Sequence, residues 1–430
     1  MSKGRKEDKL RPDDRQTNMD IQKNVVEKFL RYIKIDTRSD DSITDRVPTT
    51  DNQWNLARLL ADELKTIGLK DTSVNEVCFV TATLPANTDK KIPVISFLAH
   101  MDTSPDFNGK DVHPQIIEKY DGGEIILDKT SKMKLSPIEF PDLQRYIGQT
   151  LITTDGTSLL GADDKAGVAE IMTMLEYLVN HPEVKHGTLK IAFTPDEETG
   201  MGVDNLDVKA FGADFAYTLD GGGMGEMEYE NFNAARTILH FHGKSVHPGD
   251  AKNVLVNSQL LAMEFNALLP VEQRPEYTAD REGFFHLHNI SGDISETTAH
   301  YLIRDHDHQK YEAKKEIMQK CVDFIKAKYG SGSVDAVIED RFFNMREVLE
   351  KVFYIVEMAQ SAMRALGIEP IINPIRGGTD GARLSFKGLP TPNLFAGGHN
   401  FHGPYEYIPT ASMEKAVMVV LKIVELYANK

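Results

Sequence analysis

The sequence predicts an α/β protein whose mixed, mostly parallel sheet is flanked by helices and interrupted by a smaller inserted α+β domain. Three observations carry this. Apolar strand-like runs alternate with helical patterns from about residue 80 to 220, as in a sheet with helices on both faces. Between 232 and 343 the order becomes strand, helix, strand, strand, helix, strand, that of a ferredoxin-like split unit. Residue types that bind metals fall at the ends of the apolar runs or in Gly-rich turns, as when an open α/β sheet presents its site at its strand ends.

The first 18 residues, MSKGRKEDKLRPDDRQTN, are charged and lack the apolar core of a signal peptide; they are expected to be a disordered extension. Val25, Phe29 and Ile33 in IQKNVVEKFLRYIKI follow helical spacing. NQWNLARLLADELKTIG is a second helix ending at Gly68. CFVTATLP, IPVISFLAHMD, LKIAFTP and FAYTLD are strands, with the helix AGVAEIMTMLEYLVNH among them. In the insert, ARTILHFHG, FFHLHNISGD, TAHYLIRDHD and VDAVIED are strands, and NVLVNSQLLAMEFNALL and KKEIMQKCVDFIKAKYG helices. REVLEKVFYIVEMAQSAMRALG, TPNLFAGG and SMEKAVMVVLKIVELYA then resume the first pattern. The predicted boundaries are a first domain in two parts, 19–231 and 344–430, around an insert at 232–343.

Composition narrows the function. With 430 residues, 41% hydrophobic and 27% charged, the chain can build two sizeable cores. A net charge of -16 argues against nucleic-acid binding, which needs a basic patch. AVMVVLKIVELYA, broken by Lys422 and Glu425, falls short of the ~20 apolar residues of a membrane span. Cys78 and Cys321 form no disulfide framework, which points to a reducing compartment and so to the cytoplasm.

Five residues are candidate metal ligands: His100, Asp163, Glu198, Asp220 and His402, with Asp102 and Glu197 beside them. Without a cysteine cluster, a His-plus-carboxylate zinc site is what remains. Five ligands exceed the three of a single catalytic zinc but suit two zinc ions if one carboxylate bridges. Asp102 sits two residues after His100, a spacing that puts both on one strand face and lets the carboxylate accept the other ring N–H. Glu197 and Glu198 are adjacent and point apart, so one can bind metal while the other takes a proton from water. Taken singly, each motif has a plainer explanation: an incidental HxD, an acidic turn, a helix start at Asp163-Asp164, a turn before GGG, a surface histidine. Their joint occurrence in one α/β pattern tips the balance. His247 in SVHPG, Arg304 in YLIRDHD and Arg376 in PIRGGTDGARLS stand out beyond the ligands, and an arginine suits a substrate carboxylate. His286, His288, His300, His306 and His308 are expected to be strand-surface residues.

HMDTSP, LLGADDKAGVAEIM, TPDEETGMG, TLDGG, GKSVHPG, IRGGTDGARLS and NFHGPYE resemble, in order, the motifs of the tripeptide aminopeptidases in the di-zinc metallopeptidase family that includes carboxypeptidase G and the aminoacylases. The resemblance runs from about Met19 to the C-terminus. It implies a zinc-peptidase catalytic domain with two zinc ions per chain: His100 and Asp220 on one, Glu198 and His402 on the other, Asp163 bridging. It also implies Glu197 as general base and acid, Asp102 as the residue orienting His100, and His247, Arg304 and Arg376 as groups binding substrate or its oxyanion. The insert would be a lid and homodimer surface whose histidine reaches the partner's active site. Aspartate at 220 marks aminopeptidase and dipeptidase members, glutamate the deacylases and carboxypeptidases. The expectation is therefore a cytoplasmic zinc aminopeptidase acting on tripeptides, with no nucleic-acid or membrane partner. The rivals are a dipeptidase or N-acyl-amino-acid deacylase on the same fold, and a catalytically silent binding protein, against which the intact ligand set with Glu197 argues.

Overall fold

The computed structural model describes residues 12–430, with side chains from Asp20 onward. The described chain forms two compact units: one runs through Tyr229 and resumes at Val348–Asn373 and Lys387–Lys430, the other comprises Glu230–Glu347 and Pro374–Phe386. The elements that build them are strands β1 (Ser73–Val74), β2 (Val80–Leu84), β3 (Ile95–His100), β4 (Leu189–Thr194), β5 (Phe215–Gly221), β6 (Glu226–Glu228), β7 (Asn233–His242), β8 (Phe284–Gly292), β9 (Glu296–Asp305), β10 (Val334–Phe342), β11 (Ile371–Ile372) and β12 (Asn393–Phe395). The principal helices are α1 (Pro12–Tyr32), α2 (Gln53–Ile67), α3 (Ala162–Asn180), α4 (Ser258–Leu268), α5 (His308–Tyr329), α6 (Tyr354–Ala365) and α7 (Thr410–Ala428).

The first unit is built on an eight-stranded mixed sheet in the order β1-β2-β4-β3-β5-β12-β6-β11. Its centre, β4-β3-β5-β12, is parallel, and antiparallel strands join towards the edges. All six residues of β3 are buried, as expected of a strand covered on both faces. Helix α2 ends where Gly68 takes φ 114°, its amide reaching the Leu64 and Lys65 carbonyls; that left-handed cap favours glycine. At Gly167 a Cβ would stand 2.1 Å from the Leu219 carbonyl, so a glycine there lets α3 lie against β5.

The second unit is an antiparallel sheet in the order β8-β9-β7-β10, the strand order of the ferredoxin-like unit. Its core joins Leu239, Phe241, Phe265, Tyr301 and Ile303 with Met318, Val322 and Ile325.

Several elements differ from the sequence expectation. Helix α1 begins at Pro12, ahead of the expected start of order at Met19, while residues 1–11 of the expected extension lie outside the described residues. Helix α4 starts at Ser258, later than its apolar pattern, because the Asn257 side chain caps the Gln259 and Leu260 amides. The helix expected over 346–367 breaks into Arg346–Leu349, a 3-10 turn at Glu350–Val352, and α6, at the place where the chain changes unit. Pro374–Phe386, which sequence order puts with the returning first domain, belongs to the second unit. There Ile375 bridges to Asn231, and its carbonyl lies 3.1 Å from His306 Nε2. His306 is accordingly buried rather than on a strand surface. Short strands at 115–117, 151–153 and 407–409, around a core of Tyr120, Tyr146 and Tyr407, had no legible pattern.

Candidate metal centre

Strand ends of the first unit deliver most of the candidate residues. His100 closes β3, Asp220 lies near the end of β5, and the turn after β4 carries Glu197 and Glu198. Asp163 sits at the start of α3, and His402, at φ 65°, in the loop between β12 and α7. The structure brings His100, Asp163, Glu198, Asp220 and His402 together, with Asp102 beside them.

Asp163 is the centre of the cluster. Its Oδ1 lies 2.8 Å from His100 Nε2, and its Oδ2 lies 3.3 Å from His402 Nε2. Each oxygen thus faces a different imidazole. Asp220 Oδ1 approaches His100 Nε2 at 3.4 Å, and Glu198 Oε2 approaches His402 Nε2 at 3.0 Å. One set of donor atoms close enough to share a cation comes from His100, Asp163 and Glu198. A second comes from His100, Asp164 and Asp220.

Both imidazoles present Nε2 to the cluster and are backed at Nδ1. His100 Nδ1 lies 3.0 Å from the Asp102 carbonyl and 3.3 Å from its carboxylate. His402 Nδ1 lies 3.2 Å from Asp106 Oδ2. Such a partner sets the tautomer and aim of a metal-binding histidine. The Asp102 carboxylate also accepts the amides of Glu197 (3.0 Å) and Glu198 (3.2 Å), so it anchors both glutamates by their backbone.

The electrostatics are those of crowded anions. Burial, then Asp163, pushes the Glu198 carboxyl up to about 7. Bonds to Asp163 and Glu198 lift His402 to about 11. Burial would lower His100, but Asp220 with Asp102 and Asp163 outweighs it and holds that imidazole well above its usual range. Asp220 is itself raised, by burial against the opposing pull of His100.

The donor set fits divalent cations. It is oxygen and imidazole nitrogen, with more carboxylates than the two histidines can neutralise. Glu198 Oε1 is buried with no hydrogen-bond partner, an arrangement that is costly unless a cation or water meets it.

Three acids that the sequence reading did not assign to the site take part. Asp164 accepts the amides of His100 (3.1 Å) and Gly167 (3.1 Å) and lies within one of the two donor groups. Asp106 backs His402. Glu406 accepts three amides of the loop that carries Asp163. Asp164 was visible as half of an acidic doublet, and Glu406 as the last residue of NFHGPYE; nothing local marks Asp106.

His247, Arg304 and Arg376 belong to the second unit. His247 is exposed, and its Nδ1 accepts the Gly249 amide at 3.1 Å, which leaves Nε2 as the protonated nitrogen of the neutral ring. Arg376 spends its guanidinium on the segment 278–282, donating to the carbonyls of Thr278, Asp280 and Glu282 and stacking over Phe232 and Phe284. Arg304 donates through Nη1 to the Ala235 and Ile303 carbonyls and lies over Phe342. Burial lowers its guanidinium to about 10, and among the described residues no carboxylate pairs with it. None of the histidines at 286, 288, 300, 306 and 308 belongs to a group of donors close enough to share a metal among the described residues.

Residues 161–426 match the model of peptidase family M20/M25/M40. The chain is 58% identical over 409 residues to the peptidase T of Alkaliphilus oremlandii, covering 95% of this chain and 100% of the relative. Its fold is similar to that of a tripeptidase from Staphylococcus aureus, with a TM-score of 0.75 at 20% identity over 95% of this chain and 99% of the other. It is equally similar to the aminopeptidase PepT from Bacillus cereus, with a TM-score of 0.74 at 23% identity and the same two coverages.

Proposed function

The chain belongs to peptidase family M20/M25/M40, and from that premise we propose that it is a cytoplasmic two-zinc aminopeptidase releasing the N-terminal residue of tripeptides. It is a metallo-exopeptidase, and no described helix is long and apolar enough to cross a membrane. The observation that carries the two-metal reading is the Asp163 carboxylate, whose two oxygens face two different imidazoles.

His100 and Asp220 would hold one ion, Glu198 and His402 the other, and Asp163 would lie between them. When bound, such a pair supplies Lewis acidity to the scissile carbonyl and acidifies water. Glu197, anchored through its amide to Asp102, takes the proton of the attacking water on its carboxylate and returns it to the leaving amine nitrogen. Asp102 and Asp106 hold the two imidazoles with Nε2 forward. His247 offers an Nε2–H donor suited to an oxyanion. Arg304 is the better receptor for a peptide's terminal carboxylate, because it spends only Nη1 on backbone carbonyls whereas Arg376 spends both Nη1 and Nη2. The second unit would serve as lid and homodimer surface.

A panel of di-, tri- and tetrapeptides, free and N-acetylated, with zinc supplied, tests the reading. Tripeptides with a free amine should be cleaved fastest, releasing the first residue. Faster hydrolysis of N-acetylated amino acids than of free tripeptides would make the protein a deacylase, and preference for dipeptides a dipeptidase.

A further inference from the structure

We propose that Glu406 is a positioning residue that sets the separation of the two metal-binding halves by tying the loop of Asp163 to the loop of His402. The proposal rests on the two-metal reading above. Glu406 Oε2 accepts the amides of Leu160 (2.7 Å) and Gly161 (2.8 Å), and Oε1 accepts that of Asp163 (3.0 Å). Its side chain is almost fully buried, at 1% exposure.

The chain needs an acceptor at this place. Gly161, at φ 81°, and the non-helical Asp163 and Asp164 make a turn ahead of the regular part of α3, whose first turn Asp164 caps through the Gly167 amide. The Leu160, Gly161 and Asp163 amides belong to that turn, and buried amides need an acceptor. Glu406, more than two hundred residues away in sequence, supplies it. Because it bonds the amide of Asp163 itself, it holds the backbone from which the central carboxylate projects.

The other end of the tie is the His402 loop. Glu406 follows His402 by four residues, and the segment between is closed on itself. The His399 and Tyr407 amides exchange bonds with each other's carbonyls (2.9 and 3.1 Å), and Asn400 Nδ2 donates to the Tyr405 carbonyl (3.2 Å). A shift of one loop is therefore passed to the other through a single carboxylate. Carboxylate identity matters as well as shape. Three amides converge on two oxygens, whereas glutamine would turn an amino group towards one or more of those donors.

The experiment is zinc titration of the full chain by calorimetry, with metal content after dialysis, for wild type, Glu406→Gln, Glu406→Asp and Glu170→Gln. Glu170 is a buried carboxylate of the same helix with no hydrogen-bond partner, and serves as the control for burial alone. Wild type should take up two ions; a single ion or none would sink the two-metal reading itself. Given two, Glu406→Gln should weaken at least one of them by about tenfold to a hundredfold, the usual cost of losing a partner behind a metal ligand. Glu406→Asp, which keeps the charge on a shorter arm, should recover part of that loss, and Glu170→Gln should bind as wild type. Should Glu406→Gln prove insoluble, Glu406→Asp carries the test, with weakened zinc binding expected. Wild-type zinc affinities in the Glu406 variants, or equal losses in Glu170→Gln, would overturn the proposal.

Discussion

Exchanging each member of the Glu197–Glu198 pair for glutamine should separate proton transfer from metal holding. Both amides are anchored on the Asp102 carboxylate, so neither exchange need move the chain. The two side chains differ. Glu198 is buried, with Oε2 at 3.0 Å from His402 Nε2 and Oε1 lacking a partner. A buried polar group without a partner costs about 1–3 kcal/mol, more when charged. Glu198→Gln should therefore leave the metal-free protein as stable as wild type or more so, while weakening zinc binding. A site filled at about a hundred times its Kd stabilises the fold by about 2.7 kcal/mol. A hundredfold loss of affinity at the same zinc concentration leaves about 0.4 kcal/mol. Glu197→Gln should keep the full zinc stabilisation and lose about 10²–10⁴ in turnover, the typical worth of a general acid–base group. Thermal unfolding with and without zinc, zinc content, and tripeptide turnover of both variants side by side are the measurements. If Glu197→Gln loses zinc, or turns over near normally, the two roles have been wrongly assigned.

Other expectations follow from the same geometry. Asp163→Ala should disturb both ions and His402→Ala chiefly one, as counted by metal analysis; equal losses would deny Asp163 its central place. In the metal-free protein Glu198 and Glu406 are pushed up to about 7, Glu228 to about 8 and His402 to about 11, from 4.5 for the glutamates and 6.5 for the histidine. These four groups hold protons in the folded chain that the unfolded one has lost across this window; burial holds His306 and His399 down at about 4, which works the other way below about 6.5, but the raised groups outnumber them. The melting temperature should therefore fall as pH rises from about 5 to 8, and zinc should flatten the slope; a Tm that climbs over that range contradicts the assignment. Amidating a tripeptide's C-terminus should slow its turnover by roughly tenfold or more, the worth of a charge-assisted bond. Arg304→Met should abolish that difference, and equal rates for acid and amide in wild type would remove Arg304 from substrate binding. Sedimentation at micromolar concentration should show a dimer, and a monomer would argue against the second unit as a dimer surface.

What could be foreseen from sequence follows from where each interaction is encoded. Strands β3, β4 and β5 are buried almost throughout, so their apolar runs identify them without periodicity, and a His, Asp or Glu just beyond such a run is conspicuous. His100, Glu198 and Asp220 were visible for that reason, and Asp163 and His402 through the Gly-rich turns that hold them. Of the acids behind them, Asp102 was legible from its spacing to His100, but Asp106 and Glu406 were not, because an acid in a loop has the same local appearance whether or not it backs a ligand. Asp106 and His402 lie 296 positions apart, and Glu406 meets its amides across more than 240. Arg376 shows the same limit from the other side. Its Gly-rich surroundings suggested a carboxylate receptor, yet its fork closes on the carbonyls of 278–282, a partner choice only the folded second unit reveals. Residue type and local spacing therefore announce the groups that face a metal and, in Asp102, one that aims them, whereas Asp106 and Glu406 are ordinary acids defined by long-range hydrogen bonds. Two chains with the same five ligands could then differ widely in metal affinity, with the difference residing in Asp102, Asp106 and Glu406, which hold the imidazoles and the central carboxylate in place.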